Sequence, residues 1–149
     1  MDYSRKATGS AAVIQDAQDR VLLVRRAYLP HDWILPGGNA APDESPAETV
    51  LREVQEELGV TARILALVGV YYQADHRAGE FIHFVFRCTL DGSAALRPDP
   101  SEVADHGWFA ADGLPQPMSP STHRRLTDAL TPTEFVQVVT LPPRSEPPL

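Results

Sequence analysis

Residues Trp33 to Val60 read W-I-L-P-G-G-N-A-A-P-D-E-S-P-A-E-T-V-L-R-E-V-Q-E-E-L-G-V, and they decide the fold. Ser45 is a good N-cap and Pro46 suits the first helical position. Glu48 stands three residues after the cap, where it can close a capping box. Ala47, Val50, Leu51, Val54 and Leu58 recur as one apolar stripe, and Gly59 is the C-terminal stop. The spacing therefore predicts an amphipathic helix from Pro46 to Leu58. At about 100° per residue, Glu53, Glu56 and Glu57 fall roughly 80 to 180° to one side of the stripe. Glu48, Arg52 and Gln55 fall on the other side, where Arg52 can pair with Glu48 or with Glu44.

The three glutamates need an explanation. At i, i+3 and i+4 they repel one another by a few tenths of a kcal/mol per pair. A positive group should stand beside them. Just ahead lies Gly37-Gly38, read as a turn in which two glycines permit positive φ and a close approach of backbone to a ligand. Carboxylate oxygens are hard ligands that suit Mg²⁺ or Mn²⁺, which take further ligands from substrate phosphates. Acids on a helix facing a Gly-rich turn can hold such an ion against a phosphate chain and make a water nucleophilic.

Outward from this stretch the chain reads as strands. Ala7–Gln15 and Val21–Arg26 form a hairpin across Asp16-Ala17-Gln18-Asp19. Neighbours in a strand point to opposite faces, so Arg25 and Arg26 cannot both face one site. Arg26 is taken as the phosphate contact. Trp33-Ile34-Leu35 is a short strand stopped by Pro36-Gly37-Gly38. Ile64–Gln73 and Phe81–Leu90 are long strands around the polar loop Ala74–Glu80. In the second, Ile82, Phe84, Phe86, Cys88 and Leu90 make the core face, and His83 and Arg87 look to a more polar side. Ser101–Gly107 reads as acidic and irregular, Trp108-Phe109 as a short strand, Ser121–Leu130 as a short helix and Thr133–Leu141 as a last strand. Residues 1–6 read as a flexible start and 142–149, with four prolines in eight residues, as a disordered tail. Residues 7–141 are then one domain, with no internal repeat.

Composition narrows the function. The chain has 149 residues with 43% hydrophobic and 22% charged, enough for one core. A net charge of -7 argues against general binding to nucleic acid or anionic membranes but not against a small anionic substrate met through a metal ion. Cys88 is the only cysteine, which rules out an intrachain disulfide or a Cys-based zinc site. With neither a signal-peptide pattern nor a membrane-length apolar run, the expected location is the cytoplasm.

The spacing in 38–60 resembles the Nudix box, G-x5-E-x7-R-E-U-x-E-E-x-G-U with U a bulky aliphatic. Gly38, Glu44, Arg52, Glu53, Val54, Glu56, Glu57, Gly59 and Val60 occupy every fixed position over 23 residues. The lead-in W-x-L-P-G-G and an acid, Glu102, ahead of Trp108-Phe109 are also of that family's kind. The resemblance implies an α/β fold, an α/β/α sandwich with a mixed β-sheet between helices. It implies hydrolysis of a nucleoside diphosphate linked to another moiety, with Mg²⁺ or Mn²⁺. Glu53, Glu56 and Glu57, with the Gly38 carbonyl, would be metal ligands. Glu44 and Arg52 would form an ion pair that shapes the loop. Glu102 is the first candidate for a carboxylate from outside the box and Glu80 the second. Glu53 is the expected base, with Glu102 behind it. Asn39, Ala41 and Asp43 depart from residues common in the family at those places, although none is a fixed position.

The substrate would be a nucleoside triphosphate, ordinary or damaged, or else ADP-ribose or another nucleotide sugar. The short chain leans to the first. Arg26, Gly37, Gly38, Tyr72 and His83 are the expected substrate contacts, with Tyr71 and His76 as further candidates for a base pocket. A non-catalytic nucleotide-binding regulatory module on the same fold is the rival reading, disfavoured because every box glutamate is present. Messenger cap removal would want a basic RNA path, which the net charge does not supply. The apolar strand Phe135–Leu141 could pair with a neighbour to give a homodimer.

Overall fold

In a computed structural model of the chain, residues 3–92 and 95–144 are described. Eight strands and two helices follow in the order β1 (Ala7–Ile14), β2 (Val21–Arg26), β3 (Trp33–Ile34), β4 (Gly37–Asn39), α1 (Pro46–Leu58), β5 (Ala62–Asp75), β6 (Gly79–Leu90), β7 (Val103–Phe109), α2 (Pro120–Leu130) and β8 (Gln137–Thr140). A mixed five-stranded sheet runs β4-β1-β6-β5-β8, and an antiparallel three-stranded sheet runs β3-β2-β7.

Strand alternation splits the core in two. Ala11 and Val13 of β1, Val21 and Leu23 of β2 and Val85 of β6 pack with Leu126 and Ala129 of α2. Their neighbours Ala12, Ile14, Leu22, Val24 and Cys88 pack with Val50, Val54 and Leu58 of α1. Sheets covered on both faces carry runs of apolar residues rather than an alternating pattern. This is the expected α/β/α sandwich, and it corrects the single core face assigned to β6. Val85, on the face of His83 and Arg87, is fully buried too.

Helix α1 begins and ends as its sequence dictates. The Ser45 hydroxyl accepts from the Glu48 N–H at 3.1 Å, and Gly59 takes the left-handed conformation at φ 65°. Its buried face is rotated from the expected stripe. Val50, Val54 and Leu58 are buried along with Thr49 and Glu57, whereas Leu51 is 36% exposed and Ala47 is exposed. The core thus takes in one edge of the acidic flank.

Several local expectations are corrected. β1 and β2 are not a paired hairpin. They enter different sheets, and their ladder pairing is limited to one bridge, Gln15 to Val21. The polar loop between β5 and β6 is shorter than expected, because the ladder continues to Asp75 and Gly79. Residues 103–107, expected to be irregular, form β7 against β2. Residues 142–144, expected in a disordered tail, follow the edge of β5. The Arg144 N–H donates to the Ala74 carbonyl at 3.0 Å, and Arg144 bridges Asp75. Residues 145–149 of that tail, and 1–2 of the start, lie outside the described residues. β8 is an edge strand on which Val138 is 86% exposed, with Phe135 exposed beside it.

Gly37 and Gly38 are also not a turn. With Asn39 they form β4, antiparallel to β1, with Gly38 opposite Ser10 and Gly37 opposite Ala11. Their requirement is proximity rather than positive φ. A Cβ on Gly37 would stand 2.2 Å from the Ser10 carbonyl oxygen. Gly37→Ala must therefore push β4 away from β1. The expected loss is about 1–3 kcal/mol of unfolding free energy, the usual cost of overpacking a tight site, measurable by urea denaturation.

Candidate active site

Arg52 is the centre of the acid cluster. Its Nε and Nη2 donate to the two oxygens of Glu44 at 2.7 and 2.9 Å, a bidentate pair. Nη1 donates to Glu53 at 2.9 Å and to Glu56 at 3.0 Å, and Nη2 also reaches the Asn39 carbonyl at 3.0 Å. Glu44 further accepts from the Thr49 hydroxyl at 2.7 Å and from the Ala41 N–H. These donors, Arg52 first, hold the Glu44 carboxyl down to about 2. One guanidinium thus ties the start of the box loop to the helix that follows it. Of the two partners the sequence left open for Arg52, the structure selects Glu44.

The three helix glutamates differ in setting. Glu56 is exposed, Glu53 is half-buried, and Glu57 is 6% exposed. Glu57 meets the Gly37 N–H only in two long contacts of 3.4 Å. Burial, and then the neighbouring charge of Glu53, push its carboxyl up to about 8. Burial likewise raises Glu53. Gly38 makes room for this: a Cβ there would stand 2.5 Å from the Glu53 carboxylate.

These groups open into a cleft of about 580 Å³. α1 supplies one wall with Arg52, Glu53, Glu56 and Glu57, and β4 supplies Gly37, Gly38 and Asn39. Arg26 and Glu102 come to the same cleft, Arg26 held by a 2.6 Å ion pair with Asp32. Phe81 and His83 of β6 form part of its lining. Burial, followed by the charges of Arg125 and Arg144, lowers His83 to about 3, so its ring is neutral near pH 7.

Tyr72 and Glu80 do not line this cleft. Tyr71 is paired with His83 in the ladder and Tyr72 with Ile82, so alternation carries Tyr72 to the other face. There its hydroxyl donates to Glu80, which is ion-paired with Lys6 at 2.7 Å. Among the lining residues that the sequence reading did not single out are Ser121, Thr122 and Arg125 of α2, and Arg144. The i, i+1, i+4 spacing of the three on α2 marks one helix face, and that is the signal the sequence offered for them.

The donors present suit a hard divalent ion, and a carboxylate raised first by burial and then by its acidic neighbours is the group such an ion would neutralise. As they stand, Glu53 and Glu56 are turned onto Arg52. Among the described residues no three His, Cys, Asp or Glu side chains converge to hold an ion. Holding one would require Glu53 and the exposed Glu56 to swing from Arg52 towards Glu57.

His83 gives a test of the site's electrostatics. Its folded pKa lies below the unfolded value of 6.5, so the unfolded chain binds the extra proton between pH 6.5 and 3. Its contribution to stability is therefore present above pH 6.5 and lost as pH falls towards 3. Relative to wild type, His83→Gln should lose stability less steeply between pH 6.5 and 4, by up to about 1.4 kcal/mol per pH unit. Urea unfolding across that range checks it.

Known proteins share this architecture. Residues 5–130 match the NUDIX domain. A Bacillus subtilis (strain 168) protein named for 8-oxo-dGTP diphosphatase activity is 32% identical over 120 residues, 80% of this chain and 77% of that one. A Mus musculus diphosphoinositol polyphosphate phosphohydrolase 2 is 35% identical over 68 residues, 46% of this chain but only 38% of its own length. The crystal structure of a MutT NUDIX hydrolase from Burkholderia pseudomallei superposes with a TM-score of 0.74 at 30% identity, covering 84% of this chain and 98% of that chain. With its box helix, sandwich and acid-lined cleft in place, the chain belongs to the Nudix hydrolase family.

Proposed function

We propose that the chain hydrolyses the pyrophosphate link of a nucleoside diphosphate joined to another moiety, with nucleoside triphosphates as the first substrate class and nucleotide sugars as the second. The observation that carries this is the buried Glu57 beside Glu53 and Glu56 in a cleft that Gly37 and Gly38 also line. The name of the Bacillus subtilis relative favours the triphosphate class.

Glu53, Glu56, Glu57 and the Gly38 carbonyl would hold Mg²⁺ or Mn²⁺. The ion would neutralise phosphate charge and lower the pKa of a bound water. Arg52 and Glu44 hold the loop and helix in register. Arg26 offers the phosphates the donors that Asp32 leaves free. Glu53, half-buried and raised, accepts a proton from the attacking water, with Glu102 as the alternative base. The water oxygen bonds to one phosphorus. The bond from that phosphorus to the bridging oxygen breaks, and its electron pair leaves with the bridging oxygen as part of the second phosphate product.

Purified protein incubated with nucleoside triphosphates and nucleotide sugars should release phosphate or pyrophosphate with Mg²⁺ or Mn²⁺, and cease on adding EDTA. Absence of turnover across the panel would leave the chain a nucleotide-binding module and refute the enzyme reading for these substrates. Glu56→Gln should lower kcat about a hundredfold or more with an unchanged circular dichroism spectrum.

Glu57→Gln separates stability from activity. It removes a carboxylate that is buried and crowded by others, so Tm should stay level or rise. Turnover should still drop about a hundredfold or more. A Tm several degrees lower would show that Glu57 serves the fold rather than the site.

A further inference from the structure

The cleft has a second wall whose charge is opposite to the first. Arg125 projects from α2, on the face of the sandwich away from α1, and lines the same cleft as the glutamates. It is only 8% exposed, yet among the described residues its Nε and Nη2 have no hydrogen-bond partner. Its guanidinium lies 5.7 Å from the centre of the Tyr71 ring, which supplies a π face but no formal charge. The Tyr71 hydroxyl is committed to Asp128, and Asp128 is itself paired with Arg124. His83, close enough to feel Arg125, is neutral. Arg144, which lines the same cleft and stands 3.8 Å from Asp75, acts on Arg125 as a like charge. Ser121 and Thr122, both buried, place hydroxyl-bearing residues and the first turn of α2 on the same wall.

A buried cation without a counter-charge is costly, by several kcal/mol per ion in general. Proteins tolerate one where a ligand completes it. A neutral ligand edge would satisfy donors but leave the charge, whereas an oxyanion satisfies both.

We propose that Arg125, assisted by Arg144 and the Ser121-Thr122 turn, is a specificity-determining subsite for an oxyanion on the part of the substrate remote from the carboxylate wall. This rests on the hydrolase reading for its place in turnover, though not for its ligand chemistry. The group is a phosphate or a carboxylate. Among nucleoside diphosphate derivatives, those ending in a terminal phosphate or an acidic sugar are preferred over those ending in a neutral sugar.

Two measurements test this separately. The first needs no turnover. In EDTA, orthophosphate and free glucuronate are titrated into wild type and Arg125→Met by isothermal titration calorimetry. At least one should bind wild type saturably, the phosphate or the carboxylate source being identified by which does. Arg125→Met should bind it at least tenfold more weakly. Failure of both to bind wild type, or equal binding by the variant, overturns the subsite. The second compares kcat/KM for UTP, UDP-glucuronic acid and UDP-glucose. The ratio of the better anionic substrate to UDP-glucose should exceed ten in wild type and fall at least tenfold in Arg125→Met, with partial recovery in Arg125→Lys. An unchanged ratio overturns the proposal even if all three are hydrolysed. Binding that Arg125→Met weakens, without turnover of any substrate, would uphold the subsite and sink the hydrolase reading instead. Tm guards the interpretation: an uncompensated buried cation predicts that Arg125→Met melts no lower than wild type, while a structural arginine predicts a clear drop.

Discussion

The guanidinium of Arg52 is the constraint on which the rest of the site depends. It contacts Glu44 and the Asn39 carbonyl on one side of the box, and Glu53 and Glu56 on the other. The segment from Asn39 to Glu44 has little regular structure of its own, and β4 before it is three residues long. The Arg52 fork fixes that segment against α1 and so sets where the Gly38 backbone stands relative to the helix acids. It also offsets part of the repulsion among glutamates at i, i+3 and i+4, which a bare helix would suffer. Arg52 is thus a brace and, on the proposed reading, a placeholder for the cation that would claim the same carboxylate oxygens.

What could be read from the sequence was local chemistry. The Ser45 cap, Pro46, the Gly59 stop and, β4 apart, the order of strands and helices depend on residues close to one another in the chain, and they are where the pattern put them. What could not be read was partnership. Two apolar runs separated by a turn look the same whether they pair with each other or enter separate sheets, as β1 and β2 do. Gly37-Gly38 carries one signal for two causes, positive φ and close approach, and only the register against Ser10 and Ala11 tells them apart. The helix stripe was misjudged at its margin because Leu51 is apolar and Glu57 is charged, yet Glu57 is the one buried. Of two adjacent tyrosines, alternation sends Tyr71 inward towards Arg125 and Tyr72 outward to Glu80. Nothing at that point in the chain marks which is which.

The cleft is therefore polar in a directional sense. Acids come from the helix on one side of the sandwich, and the unpartnered Nε and Nη2 of Arg125 from the other. A net charge of -7, taken over the whole chain, conceals this separation. For a substrate with several anionic groups the two walls are different environments. On the proposed reading, one would require a bridging cation before it could accept a phosphate. The other would accept an oxyanion directly.

Arg144 comes from beyond the last strand. It reaches the cleft only because the chain after β8 continues along β5, through its backbone bond to Ala74 and its side-chain bond to Gln73 at 3.2 Å. β8 is the outermost strand of its sheet and is held by one neighbour. Peeling that strand away, whether by thermal fraying or by a competing strand seated on β5, would withdraw a positive charge from the cleft mouth while leaving the carboxylate wall untouched. The rim of the sheet and the interior of the cleft are in this way mechanically linked, with four residues of ladder as the hinge-pin between them.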